Sequence, residues 1–177
     1  MPVVLTLDAV NALDRTSFIA AFGDVAEHSP WVAEAAFAAA PFASRDDLIE
    51  AFVAALEAAP HDMQHALICM HPDLAGKAAV AGTLAAASRK EQAGAGLDRL
   101  TAEEFARFTA LNSRYRDTFG FPFIFAVKGA TKAMILEAFE RRLENDAETE
   151  FRTALGQIAR IVRFRLEDRV TQEQNDG

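Results

Sequence analysis

Apolar residues along this chain recur at steps of three and four. In LIEAFVAALEAA, Leu48, Phe52, Ala55 and Leu56 share one face of a helix that Ser44-Arg45-Asp46-Asp47 opens and Pro60 closes. Phe151, Leu155, Ile158 and Val162 mark one stripe of a last helix that starts near Asp146 and runs past Leu166. Met134, Ile135, Ala138 and Phe139 point inward from a helix that Thr131 caps and that runs through Arg142. Other helices are announced by their ends. Asp14-Arg15-Thr16-Ser17 leads into FIAAFGDVAE. Ser29-Pro30 places an N-cap and then a proline at the first helical position of WVAEAAFAAA, which stops before Pro41. Thr101-Ala102-Glu103-Glu104 is a capping box opening a long helix that ends at Phe119, with Gly120 as its stop. A shorter helix from about Asp62 to Met70 ends at His71, because Pro72 disfavours helical geometry in the residue before it. His71 is therefore predicted on a turn. Lys77 to Ala87 predicts an Ala-rich helix, and Ser88 restarts the next.

Phe121-Pro122-Phe123-Ile124-Phe125-Ala126-Val127 has the composition of a strand, but Pro122 demotes it and nothing else in the chain offers a partner. It is predicted as an extended segment crossing the core. Its backbone N–H groups need acceptors, some of which a ligand can supply. The fold expected is an all-α single domain over residues 1–177, a bundle of about eight helices with that one extended segment.

Composition agrees. The 177 residues are 51% hydrophobic, enough for one core, and Ala and 14 Phe outweigh the β-branched residues that favour sheets. A net charge of −8 and a pI near 5.0 argue against nucleic-acid binding. MPVVLTLDAVNALD lacks the basic start of a signal peptide, no apolar run is long enough to span a bilayer, and the C-terminal Asn-Asp-Gly is no peroxisomal tripeptide. A cytoplasmic protein without membrane or nucleic-acid partners is expected. The single Cys69 excludes an intramolecular disulfide, and its apolar neighbours predict a buried, inert thiol.

Four groups of residues are candidates for chemistry. Arg165 occupies the next position of the last helix's apolar stripe, whereas Arg160 and Arg163 fall off it. A buried Arg needs an anionic or carbonyl partner, which a structural salt bridge or a ligand can provide. Ser88, Glu91 and Gln92 lie at i, i+3 and i+4 on one helical face, a spacing that is also a capping box. His71 is a candidate general acid or base, because an unperturbed imidazole has a pKa of about 6.5. His61 and His65 have a helical i, i+4 spacing but lack the Glu of a zinc motif, and a surface role is expected for His61. Gly76-Lys77 lacks the rest of a phosphate loop, and Gly94-Ala95-Gly96 follows a helix and lacks a third Gly.

Taken in order, SPWVAE at Ser29–Glu34, HPDLAG at His71–Gly76, SRKEQ at Ser88–Gln92 with Ala95-Gly96-Leu97, Leu111-Asn112, Tyr115, FGFPFI at Phe119–Ile124 and Arg165-Leu166 resemble the 2-oxo-4-hydroxy-4-carboxy-5-ureidoimidazoline (OHCU) decarboxylases of urate breakdown. The resemblance covers nearly the whole chain. It implies a cofactor-free, all-helical lyase, usually a homodimer, that converts OHCU to (S)-allantoin and carbon dioxide. It makes His71 the catalytic acid/base and Glu91 its assistant. It assigns substrate binding to Ser88, Arg89, Lys90 and Gln92, to Pro72, to the backbone of Phe123, Ile124, Phe125, Ala126 and Val127, and to Arg165. Two other readings are open: a non-catalytic helical ligand-binding module on the same scaffold, and a metal-dependent hydrolase using His61, His65 and His71.

Overall fold

A computed structural model of the chain describes residues 3–76 and 84–172. Among the described residues the helices are α1 (Leu7–Asn11), α2 (Arg15–Phe22), α3 (Trp31–Phe37), α4 (Arg45–Ala58), α5 (His61–Met70), α6 (Ala86–Gly94), α7 (Ala102–Phe119), α8 (Lys132–Arg142) and α9 (Ala147–Arg169). The fold is all-α. Its β feature among these residues is an isolated parallel bridge of Leu5 with Val170.

Most helix starts follow from the residue before them. Asp14 accepts from the Ser17 N–H at 2.8 Å, Ser44 from Asp47 at 3.0 Å, Thr131 from Met134 at 3.2 Å and Asp146 from Thr149 at 2.8 Å. Thr101 and Glu104 complete their capping box at 3.1 and 3.0 Å. Each such cap is worth about 1 kcal/mol. Gly120, at φ 80°, ends α7 in the left-handed region.

Several expectations need correction. The Ser29 hydroxyl donates to the Glu27 carbonyl at 2.8 Å instead of capping α3, which begins at Trp31 behind Pro30. Two helices are shorter than expected. Helix α2 ends at Phe22 before Gly23, and α3 ends at Phe37, after which Ala38, Ala39 and Ala40 bond three residues back. Met134 is exposed, because Ile135, Ala138, Phe139 and Arg142 form the inward face of α8. Cys69 is exposed too: of the apolar run at the end of α5, Leu67 and Ile68 turn inward, while Cys69 and Met70 face out. Of the helix expected over Lys77 to Ala87, residues 77–83 lie outside the described residues. Leu84 and Ala85 are not helical, and Ala86 and Ala87 already belong to α6.

The chain forms two compact units, Met1–Leu67 with Ala159–Gly177, and Ile68–Ile158. In the first, α2 packs on α3 and α3 on α4 around Phe18, whose ring lies 5.0 Å from Phe22, 5.3 Å from Phe37 and 6.1 Å from Phe52. In the second, α7 packs on α8, and Tyr115 is surrounded by Phe119 at 4.7 Å, Phe123 at 5.3 Å and Phe139 at 6.4 Å. The abundant Phe residues thus supply each unit with its own aromatic centre, where tilted and edge-on rings are favoured.

Candidate active site

His71 stands where the sequence places it, on a bend directly after α5, and the residue is 6% exposed. The loop from Pro72 to Gly76 is anchored by side chains of two helices. Gln92 on α6 accepts from the Ala75 N–H at 3.0 Å and donates to the Asp73 carbonyl at 3.3 Å. Asn112 on α7 donates to the Leu74 carbonyl at 2.8 Å. Arg116, one turn further along α7, grips the Asp73 carboxylate with Nε at 3.0 Å and Nη2 at 2.8 Å.

These anchors hold a conformation the backbone does not favour by itself. Ala75 sits at φ 55°, a left-handed position that costs a non-glycine residue about 1–3 kcal/mol. At Gly76 a Cβ would lie 2.9 Å from that of Asp73, so the last position of HPDLAG has no room for a side chain. His71 is therefore presented by a loop whose shape is imposed by side chains of α6 and α7.

The S-x-x-E-Q block is read differently in structure than in sequence. Helix α6 begins at Ala86, with Ala85 at its cap and no capping side chain. Ser88 is thus the third helical residue, so it does not cap, and Glu91 and Gln92 fall in the second turn. Ser88 and Gln92 are buried, Glu91 is half-buried, and Arg89 and Lys90 are exposed, with Arg89 Nη2 on the Leu84 carbonyl at 3.2 Å. The helical face inferred from the spacing exists. Its inward members are Ser88 and Gln92.

The segment 121–127 forms neither helix nor strand, and all but Phe125 of its residues are buried. Phe123 stacks on Phe139 at 3.7 Å. Two side chains satisfy its backbone: Arg142 Nη1 donates to the Ile124 carbonyl at 2.6 Å, and Gln157 Oε1 accepts from the Ala126 N–H at 2.9 Å. Arg142 is in turn paired with Glu150 at 2.9 Å, and Glu150 accepts from the Tyr115 hydroxyl and from Asn145 at 2.9 Å. Burial, reinforced by the bond to Glu150, holds the Tyr115 phenol far above its usual range, so it stays a donor.

Arg165 belongs to the first unit. There it is buried and pairs with Glu27 at 2.9 Å while donating to the Val25 carbonyl at 3.0 Å. Of the two partners the sequence allowed for it, a carboxylate of the chain is present. His61 is exposed and His65 half-buried, and among the described residues no three His, Cys, Asp or Glu side chains are grouped to hold a metal ion. Among the described residues no helix is long and apolar enough to cross a membrane.

The OHCU decarboxylase family model matches residues 11–167, through both compact units. The chain belongs to the OHCU decarboxylase family. It is 44% identical to the 2-oxo-4-hydroxy-4-carboxy-5-ureidoimidazoline decarboxylase of Haloferax volcanii, over 96% of this chain and 98% of that protein. It is 42% identical to the uric acid degradation bifunctional protein PucL of Bacillus subtilis, of which it spans 34%. Among solved structures, an (S)-allantoin synthase superposes with a TM-score of 0.76 at 31% identity, covering 94% of this chain and 54% of that one. In the family's terms, HPDLAG and S-x-x-E-Q form one physical unit here, because Gln92 of the second block fastens the loop of the first.

That link gives a prediction. Gln92→Leu keeps the volume but leaves the buried Ala75 N–H without its acceptor, a loss of about 1–3 kcal/mol. Urea unfolding should show the loss, and the amides of residues 73–75 should exchange faster. Unchanged exchange there would contradict the clamp.

Proposed function

We propose that the chain decarboxylates OHCU to (S)-allantoin and carbon dioxide without a cofactor, with His71 as the acid/base. The observation that carries this reading is the family match over residues 11–167 together with a buried His71 on a side-chain-fixed loop. Because the match runs through both units, residues 1–177 are read as one functional domain. A homodimer in the cytoplasm accompanies the reading.

The chemistry suits the residues. The bond from C4 to its carboxylate breaks and carbon dioxide leaves. The electron pair forms a C4=C5 double bond as the C5=N electrons move onto the ring nitrogen, giving an enol. Hydrogen-bond donors stabilise that charge best when they are fixed in place beforehand. His71, as the imidazolium, delivers a proton to C5, the ureido-bearing carbon, while the 4-hydroxyl gives up its proton and becomes the C4 carbonyl of allantoin. Half-buried Glu91 orients the imidazole or the 4-hydroxyl. Ser88 and the backbone of 123–127 bind ring and ureido groups, and Pro72, Arg89 and Lys90 flank them. Gln92 has a second N–H and lone pair beyond those on the loop with which to meet the ligand. Arg165 keeps a proposed role in holding the substrate's charge.

The test is the disappearance of freshly generated OHCU, with and without the protein, repeated with a strong chelator present. The reading predicts acceleration that the chelator does not change. Decay at the spontaneous rate would favour the non-catalytic module, and loss of activity on chelation would favour the metal-dependent one.

A further inference from the structure

The buried ion pair of Arg142 and Glu150 has no place in the chemistry above, yet it is among the most enclosed charges of the second unit. Glu150 is 0% exposed and Arg142 6%. An ion pair this deep is seldom the cheapest way to fill a core, since apolar residues of the same size do as well or better. Its geometry suggests what it contributes. Glu150 meets Nε at 3.0 Å and Nη2 at 2.9 Å, which fixes the guanidinium plane and aims Nη1 at the Ile124 carbonyl, 2.6 Å away. The guanidinium carbon also lies 4.3 Å from the centre of the Phe123 ring. Tyr115 and Asn145 hold Glu150 itself from two further sides.

Gln157, on the α9 portion of this unit, takes the Ala126 N–H. Arg142 and Gln157 thus hold the segment at the Ile124 carbonyl and the Ala126 N–H, and neither bond uses the amide of Phe125 between them.

We propose that Arg142, fixed by Glu150 and Tyr115, acts with Gln157 as a positioning pair that sets the 123–127 backbone for ligand binding and leaves the Phe125 amide to the ligand. This deepens the function proposed above and rests on it. Arg142 and Gln157 touch no reacting atom. They act through the placement of backbone donors, where an error of about 1 Å costs up to about 100-fold in rate.

The test uses the full chain in two variants. Arg142→Met/Glu150→Leu removes both charges together, which preserves the fold better than removing either one, and Gln157→Ala removes the second anchor from a half-buried helix position. Hydrogen–deuterium exchange of residues 121–127 and the KM and kcat for OHCU are measured well below each variant's melting temperature. Exchange of the segment should quicken while α7 and α8 stay protected. KM should rise about 10-fold or more in the double variant and less in Gln157→Ala, with a smaller change in kcat. A merely structural pair would lower the melting temperature and leave both constants of the folded protein within about twofold; that result overturns the proposal. If the double variant fails to fold, Gln157→Ala alone decides by the same criteria. If the wild type does not accelerate OHCU decay, the functional reading fails on its own. The exchange data then still decide whether the pair fixes the segment, and unchanged exchange overturns it.

Discussion

His71→Ala lowers kcat/KM for OHCU by about 10²–10⁴-fold, the usual contribution of a positioned proton-transfer group, while the cooperative melt survives. The separation of the two effects follows from how the loop is held. Gln92, Asn112 and Arg116 anchor Asp73, Leu74 and Ala75 through backbone groups and the Asp73 carboxylate, and none of those bonds uses the imidazole. Truncating His71 leaves the loop in place and removes its proton carrier. KM should change less than kcat, because the proposed reading has other residues bind the ring and ureido groups. Steady-state kinetics beside a circular dichroism melt check this, and turnover close to wild type in a folded His71→Ala protein would remove His71 from the mechanism.

Glu27→Ala is expected to destabilise the protein by about 3–5 kcal/mol, because it leaves the buried Arg165 guanidinium without its carboxylate. For a chain of this size that corresponds to a fall in melting temperature of roughly 6–20 °C. Glu27→Leu/Arg165→Met, which removes both charges, should recover most of the loss. The double variant also separates the two roles of Arg165. If Arg165 binds substrate as well as Glu27, KM rises although the melting temperature is restored; if it is a structural partner alone, KM stays at the wild-type value. A melting temperature within about 1 °C of wild type in Glu27→Ala would show that the pair contributes nothing measurable.

Features that depend on a few neighbouring residues were legible in the sequence. Thr101 and Glu104, Asp14, Ser44, Thr131 and Asp146 cap where their spacing says, and Pro72 ends α5 at His71. The same local signals mislead where tertiary partners compete. Ser29 turns to the Glu27 carbonyl, and Ser88 lies inside α6 because that helix starts at Ala86. Stripe spacing marks Arg165, and it marks a second buried pair as well. Ile135, Ala138, Phe139 and Arg142 share the buried face of α8, and Glu150 with Ala154 and Ile158 continues the stripe that reaches Arg165 on α9. Both charges of the second buried pair were therefore marked by periodicity. The hold of Gln92 and Asn112 on the loop was not, since no local pattern ties residues 17 and 38 positions apart to a backbone carbonyl or amide.

The proposed protonation of C5 from one side by His71 is read most directly from the handedness of the allantoin formed. Followed by circular dichroism as OHCU is consumed, the wild type should yield a single enantiomer. His71→Ala should yield the racemic product of the spontaneous reaction. Accelerated loss of OHCU with racemic allantoin from the wild type would contradict proton delivery by a fixed group on the enzyme.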